Sequence, residues 1–336
     1  MSIPTISAVA LKAGVSVASV SRVINGIPVK PHTVKRVQEA IAELSYEPNS
    51  AARSLKVRQS DQISLSFADI GNPAYLAMTR GIDQVLRESK YRLILSSSVS
   101  STEEIIAQLK TLARGYSDGL IFSPIYSSPE ITQLVMSLSI PVVLIGTRPE
   151  GLLVDNIYID SGKGIALAVD HLAGTGRKKI ALINGPLSTS PGLRRKLGFE
   201  KAMAVHGMPV SEKSFLQAED FTSTAGYEVA ASISEFSQYD AFICVNDLVA
   251  SGVMRYLAEK EISIPGQIAV VGIDNTELAT VLNPALTSVD LHAEKRGVLA
   301  AQMLLRRIAN PKKRVEQEVI EPELTIRASS VRESKK

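Results

Sequence analysis

Residues 5–25, TISAVALKAGVSVASVSRVIN, place two short amphipathic segments around a single glycine, the outline of a helix-turn-helix. Ile6, Val9, Ala10 and Ala13 recur at helical spacing, which gives a first helix one apolar face. Gly14 supplies the backbone freedom that a tight turn needs. Ser16 fits the N-cap of a second helix, where its hydroxyl satisfies a free backbone N–H. In that helix Val20, Val23 and Ile24 point inward, while Val17, Ala18, Ser21, Arg22 and Asn25 point outward. Small residues, hydroxyls, one arginine and one asparagine make an outward face suited to a DNA major groove. Taken alone, the same pattern also describes a solvated helix pair in any helical domain.

Charge favours the first reading. Residues 1–60 hold eight Lys/Arg against three Glu, a net of +5. The whole chain has 37 basic and 34 acidic residues, so residues 61–336 carry −2. A phosphate-binding module joined to a near-neutral region has this asymmetry; a uniformly basic protein does not. A chain of 336 residues, 45% hydrophobic, has room for a small module plus one or two larger domains. No apolar run reaches the ~18–20 residues of a membrane span. The N-terminus lacks the layout of a signal peptide. Cys244 is the only cysteine, which excludes an internal disulfide or a cysteine-based metal cluster. A soluble, cytoplasmic protein is expected, with no membrane association.

A third helix is predicted from Pro31 to Leu44, with Pro31 at its first position and Val34, Val37, Ile41 and Leu44 as its apolar stripe. Pro48 then breaks the chain, and residues 50–56 are too short for an isolated helix. Tyr46 to Lys56 therefore reads as a linker in the free protein. On DNA the segment can fold, with Leu55 as an apolar wedge in the minor groove.

From residue 61 short apolar runs alternate with amphipathic stretches. Candidate strands are 63–67, 93–96, 120–123, 142–145, 180–183, 242–245 and 270–273; candidate helices are 77–89, 102–113, 164–173, 248–259 and 295–308. Such alternation implies parallel sheets with right-handed crossovers, and residues 61–336 leave room for two of them. Ligands of open α/β sheets bind beyond the carboxyl ends of the strands. Polar residues recur just there: Asp69, Asn72 and Tyr75; Ser96, Ser97 and Ser98; Asn184 and Ser188; Asn246 and Asp247; Asp274 and Asn275. Any one of these alone fits loop or capping chemistry. Their recurrence after strand after strand points to a pocket between two lobes. After residues 142–145 come Thr147 and Arg148, so no carboxylate is supplied there.

No catalytic constellation accompanies this pattern, and no enzyme activity, cofactor or metal is expected. His32, His171, His206 and His292 are scattered without metal spacing. There is no P-loop and no Gly-x-Ser-x-Gly elbow. Gly162-Lys163-Gly164 is too short to signal a nucleotide and reads as a helix start with a solvated lysine.

The chain resembles the lactose-repressor/galactose-repressor family of transcription regulators. The resemblance rests on Thr5-Ile6, Val9-Ala10, Ala13-Gly14-Val15-Ser16, Val20-Ser21-Arg22-Val23, Asn25-Gly26, Pro48-Asn49 and Ala52-Arg53-Ser54-Leu55. Late segments, Pro284 to Val289 and the helix Lys295 to Ile308, fit as well. It implies an α/β fold class: an N-terminal three-helix helix-turn-helix DNA-binding domain (1–47), a hinge helix or linker (48–60), and a two-lobe periplasmic-binding-protein-like parallel α/β domain (61–336). It also implies a homodimer on a pseudo-palindromic operator. The DNA contacts would come from Thr5, Ser16, Val17, Ala18, Ser19, Ser21, Arg22 and Asn25. The hinge would add Asn49, Ala52, Arg53 and Leu55. Val17 and Ala18 occupy the positions that sort half-sites, and the pair is similar to galactose-type repressors. Arg22 would reach a base edge, while Ser16, Ser21 and Asn25 would hold phosphates. The family usually has Asp where Ala8 stands and Ser where Lys30 stands.

In the larger region the resemblance implies an effector site of Asn72, Tyr75, Ser97, Arg195, Phe221, Asn246 and Asp274. Phe221 would pack on a ligand ring and Arg195 would grip hydroxyls or a carboxylate. A sugar effector is expected, governing carbohydrate-utilisation genes. A purine or nucleoside effector, or a phosphorylated carrier protein, is the alternative. The chain's end, Ser329 to Lys336, reads as a polar tail without a heptad extension, which favours a dimer over a tethered tetramer.

Overall fold

The computed structural model describes residues 4–46, 60–97, 101–114 and 117–331. Its contacts divide the chain into two compact units, residues 1–60 and 61–336.

The first unit holds α1 (Ile6–Ala13), α2 (Val17–Ile24) and α3 (Pro31–Leu44). Thr5 caps α1, its hydroxyl accepting from Ala8 N at 3.2 Å. Gly14 ends the helix at φ +59°, a left-handed conformation that glycine adopts without a Cβ penalty. The chain then turns into α2 at 105° to α1, within the range of helix-turn-helix motifs. Val9, Ala10, Ala13, Val20, Val37 and Ala40 form the buried centre, flanked by Ile6, Val23, Ile24, Ile41 and Leu44. Tyr46 belongs to this core, 9% exposed, and is not the start of a linker as its position before Pro48 suggests. Lys30 stands at the N-cap of α3 and makes no side-chain cap.

The second unit has two six-stranded sheets. The first orders β11 (Gln317–Ile320), β5 (Asp155–Ile159), β4 (Val142–Ile145), β3 (Gly119–Ser123), β1 (Gln62–Phe67) and β2 (Arg92–Ser97), all parallel. The second orders β12 (Glu323–Thr325), β10 (Thr287–Asp290), β9 (Ala269–Ile273), β8 (Ala241–Cys244), β6 (Ile180–Asn184) and β7 (Phe215–Gln217); only β12 is antiparallel. Nine helices separate these strands among the described residues: α4 (Pro73–Glu88), α5 (Thr102–Leu112), α6 (Pro129–Ser137), α7 (Ser161–Gly174), α8 (Ser190–Val205), α9 (Ser223–Ser232), α10 (Asp247–Glu259), α11 (Glu277–Val281) and α12 (Ala293–Ala309). Strands β1, β3, β4, β6, β8 and β9 are apolar and almost wholly buried, as parallel strands covered on both faces must be.

The chain passes between the lobes three times: from β5 into α7, from β10 into α12, and from β11 into β12. Asp160 caps α7 at the first passage, accepting from Gly162 N at 2.9 Å. Lys163 is exposed and pairs with Glu321 at the third. At the second, α12 lies so close to α4 that a Cβ on Gly297 would stand 2.2 Å from the carbonyl oxygen of Met78.

One expectation fails at the chain's end. Ser329 and Ser330 are fully buried and belong to the second lobe. Ser329 donates to Val270 O, and Thr287 N donates to Ser329 Oγ at 2.8 Å. Ser330 Oγ lies 2.6 Å from Thr287 Oγ1 and 2.7 Å from His171 Nε2. Hydroxyls with such partners can be buried without loss, which is why a polar run can end inside a fold.

Candidate DNA-reading helix and effector cavity

In α2, Ser16 is the N-cap; its hydroxyl accepts from Ser19 N at 3.2 Å and lies 3.0 Å from Ser19 Oγ. Val17, Ala18, Arg22 and Asn25 are exposed on one side, Val17 at 44%. Ser19 and Ser21 are half-buried. Asn25 donates to Ser21 O at 2.7 Å, so its amide is partly engaged within its own helix. Thr5, Ser16, Val17, Ala18, Ser19, Ser21, Arg22 and Asn25 all lie on or beside α1 and α2. Asn49, Ala52, Arg53 and Leu55 lie outside the described residues.

In the second unit the carboxyl ends of both sheets face a cavity of about 440 Å³. Six of the seven predicted effector residues line it: Asn72, Tyr75, Arg195, Phe221, Asn246 and Asp274. Ser97 does not; its hydroxyl donates to Ala68 O at 3.0 Å. Strand β2 is the sheet edge, and from there Ser97 braces the loop that carries Asp69.

Local chemistry sets each lining group. Asn72 caps α4 by accepting from Ala74 N at 2.9 Å. One turn into that helix, Tyr75 stacks on Phe67 with ring centroids 5.2 Å apart. Burial pushes the Tyr75 phenol up to about 12, so it stays a neutral hydrogen-bond donor. Asn246 caps α10, accepting from Val249 N at 2.7 Å, and donates to Phe221 O at 2.9 Å. Asn246 thereby fixes the loop that presents the Phe221 ring. That ring lies against Gly185, where no side chain intervenes.

Arg195 rises from α8, is 7% exposed, and donates one Nη1 bond to Val245 O. Its Nε is buried with no partner. Asp274 ends β9 with φ +102°, a backbone conformation that strains any residue but glycine. Burial lifts its carboxyl above the ordinary range, against the pull of Arg195 and Arg296. Desolvation lowers both arginines, while Asp274 pulls the other way. Asp247, one residue past Asn246, turns away from ligand duty. It accepts from Thr276 N at 2.7 Å, Thr276 Oγ1 at 2.9 Å and Ser288 Oγ at 2.6 Å.

Arg296, Arg194 and Tyr126 also line the cavity and were not singled out from sequence. Arg296 carried a readable signal. It stands three residues after Ala293 and four before Ala300, on the face that α12 buries. The residues buried there are Ala293, Gly297, Ala300, Ala301, Met303 and Leu304, while Val298, Leu305 and Ile308 are half-buried.

Among the described residues no three His, Cys, Asp or Glu side chains are grouped to hold a metal. No single helix among them is long and apolar enough to cross a membrane.

Comparison with known proteins agrees with this geometry. The pattern described as "Bacterial regulatory proteins, lacI family" matches residues 5–49, and that described as "Periplasmic binding protein-like domain" matches residues 169–330. Catabolite control protein A of Priestia megaterium is 32% identical over 305 residues, 90% of this chain and 92% of its own. The HTH-type transcriptional repressor PurR of Histophilus somni (strain 2336) is 32% identical over 334 residues, 97% of this chain and 98% of its own. The solved complex of the transcriptional regulator CelR with cellobiose is 29% identical, with a TM-score of 0.73 over 97% of this chain and 99% of that one. A helix-turn-helix with an exposed second helix, joined to a two-lobe α/β unit and related over nearly its whole length to such regulators, places this chain in the lacI family of bacterial regulatory proteins.

Proposed function

We propose that this protein is a sugar-responsive repressor of carbohydrate-utilisation genes, a cytoplasmic homodimer with no enzymatic activity. One observation carries the effector assignment. The Phe221 ring, the Arg195 guanidinium and the Asp274 carboxylate converge on one cavity from the loop after β7, from helix α8 and from the end of β9. A sugar ring needs a flat apolar surface for its C–H face and charged or amide groups for its hydroxyls. The cavity volume falls within the ~300–1,000 Å³ of small-molecule sites. The cellobiose complex of a relative supports the same class.

On the DNA side, Arg22 reads a base edge, Val17 and Ala18 sort half-sites, Ser16, Ser21 and Asn25 hold phosphates, and Thr5 and Ser19 add further DNA contacts. Residues 1–47 are the reading domain and 48–60 the hinge, with Asn49, Ala52 and Arg53 among its DNA contacts and Leu55 in the minor groove. Exposed Leu76 on α4 and Ile94 and Leu95 on edge strand β2 suit burial against a second copy. A ligand that touches both lobes favours one lobe arrangement over another. The shift passes to the hinge as a change of populations.

The experiment is a thermal-shift series with cellobiose, ribose and adenine, each followed by titration on promoter DNA. A sugar that raises the melting midpoint and changes DNA affinity supports the assignment. A response to adenine alone, with no sugar bound, contradicts it in favour of a purine effector.

A further inference from the structure

The buried end of the cavity holds two arginines and one carboxylate, and their bonding is incomplete. Arg296 makes no side-chain hydrogen bond among the described residues, and its Nε is buried. Arg195 Nε is likewise buried and unpartnered. Among the described residues Asp274 makes no direct ion pair with either and no side-chain hydrogen bond. Asp274 is the one carboxylate that acts on both arginines from the cavity lining, and Asp290 acts on Arg296 from outside it. A buried charged donor without a partner is costly, so its persistence marks a group that a ligand completes.

The position of Arg296 strengthens the point. The apolar face of α12 packs on α4, and an aliphatic side chain at 296 would continue that face. The helix pair is locked by backbone contact: a Cβ on Gly81 would meet Glu294 O at 2.3 Å, and one on Gly297 would meet Met78 O at 2.2 Å. The guanidinium therefore stands on a rigid base, which is what a bidentate contact requires. Glu219 and Asp220 line the cavity and are exposed, and Asp69 is half-buried. Carboxylates accept from hydroxyls and repel an anion, while unpartnered guanidinium N–H groups attract one, so a ligand's anionic group is expected at Arg296 and Arg195.

We infer that the effector is an anionic sugar derivative, bearing a carboxylate or phosphate, and that Arg296 with Arg195 receives that group. The inference rests on the sugar-responsive reading above and narrows it. Arg296 is its specificity-determining residue: it sets the preference for a charged over a neutral member of a sugar pair.

The test is a binding series on the full-length protein, by thermal shift and calorimetry. The probes are glucose, gluconate and glucose 6-phosphate; galactose and galacturonate; ribose and ribose 5-phosphate; and adenine. The same series is run on Arg296→Met and Arg296→Lys, each first shown to melt cooperatively. The expected result is that one acid or phosphate binds roughly tenfold or more tightly than its neutral parent. Arg296→Met abolishes that preference and Arg296→Lys retains part of it. A purely structural arginine would lower the melting midpoint in Arg296→Met without altering the ratio. The acid and phosphate arms identify which anion is used. Equal binding of a neutral parent and its anion overturns the inference and leaves the sugar reading standing, as does a preference that survives in Arg296→Met. Binding of adenine alone overturns both. Absence of binding by every anionic member overturns the inference.

Discussion

Phe221 lies where it does because residue 185 has no side chain: a Cβ on Gly185 would stand 2.4 Å from the ring's Cε1 and 2.7 Å from its Cζ. The ring cannot keep its place if that atom is added. Gly185→Ala is predicted to displace the ring, weakening effector affinity by about tenfold. Overpacking costs about 1–3 kcal/mol of stability. Ligand calorimetry and a urea melt read the two effects separately. Unchanged affinity would show that the ring does not touch the ligand.

Arg307 and Asp155 form the best-shielded ion pair among the described residues. Two bonds of 2.8 Å join them, and the Asp155 side chain is 3% exposed. Arg307 also caps carbonyls of the loop that leads into β11, and Asp155 accepts from Glu316 N at 2.9 Å. Removing one partner leaves a buried charge unpaired. Arg307→Met is therefore expected to lower the unfolding free energy by ~3–5 kcal/mol, measured by urea denaturation. Its effect should be much smaller in the double variant with Asp155→Asn, where no uncompensated charge remains.

Asp247 gives a pH signature. Burial, then the nearby Asp274 charge, raises it from 3.8 to about 7, against hydrogen bonds from Ser288 and Thr276. The folded state thus holds a proton that the unfolded state releases at lower pH. The stabilisation is fully present below pH 3.8 and is lost as pH rises to about 7. The difference in unfolding free energy, wild type minus Asp247→Asn, should fall over that interval and be flat above it. A difference that rises with pH would contradict the sign.

Arg22 is exposed at the last turn of α2. If it reads a base edge, Arg22→Ala costs about 1–3 kcal/mol on the cognate site and much less on a site altered at that base pair. Exchanging Val17 and Ala18 should redirect half-site preference instead. A uniform loss across all sequences would make Arg22 a phosphate contact, which a shallower salt dependence of binding would show.

Much of this was legible in the chain. The helix-turn-helix came from residues whose roles are local: Thr5 and Ser16 cap, Gly14 turns, and Val9, Ala10, Ala13 and Val20 bury. Doubly covered parallel strands such as Val142–Ile145 announce themselves as apolar runs. Strand β5 did not, because it opens on Asp155 and Asn156. Both are buried, and the long-range partner that makes Asp155 tolerable, Arg307, lies far along the chain. Strands β7, β11 and β12 are short edges whose pairing comes from the sheet they join. In the cavity, Asp69, Asn72, Tyr75, Asn246 and Asp274 were found because topology puts residues just after strands there; Asn184, Ser188, Asp247 and Asn275 also follow strands and do not line it. Ser97 follows the same rule but ends an edge strand, so it braces a loop. Arg296 sits inside a helix, where a charged residue on an apolar face is visible only once the face is known.

The central claim is that occupancy of the cavity and binding of DNA are coupled in one chain. The direct measurement is fluorescence anisotropy on a duplex selected from random sequence by the full-length protein, titrated with and without a saturating cavity ligand. The ligand is expected to change the dissociation constant by roughly 5–150-fold, and the selected duplex to change ligand affinity by the same factor. Saturation of the cavity with DNA affinity unmoved would contradict it.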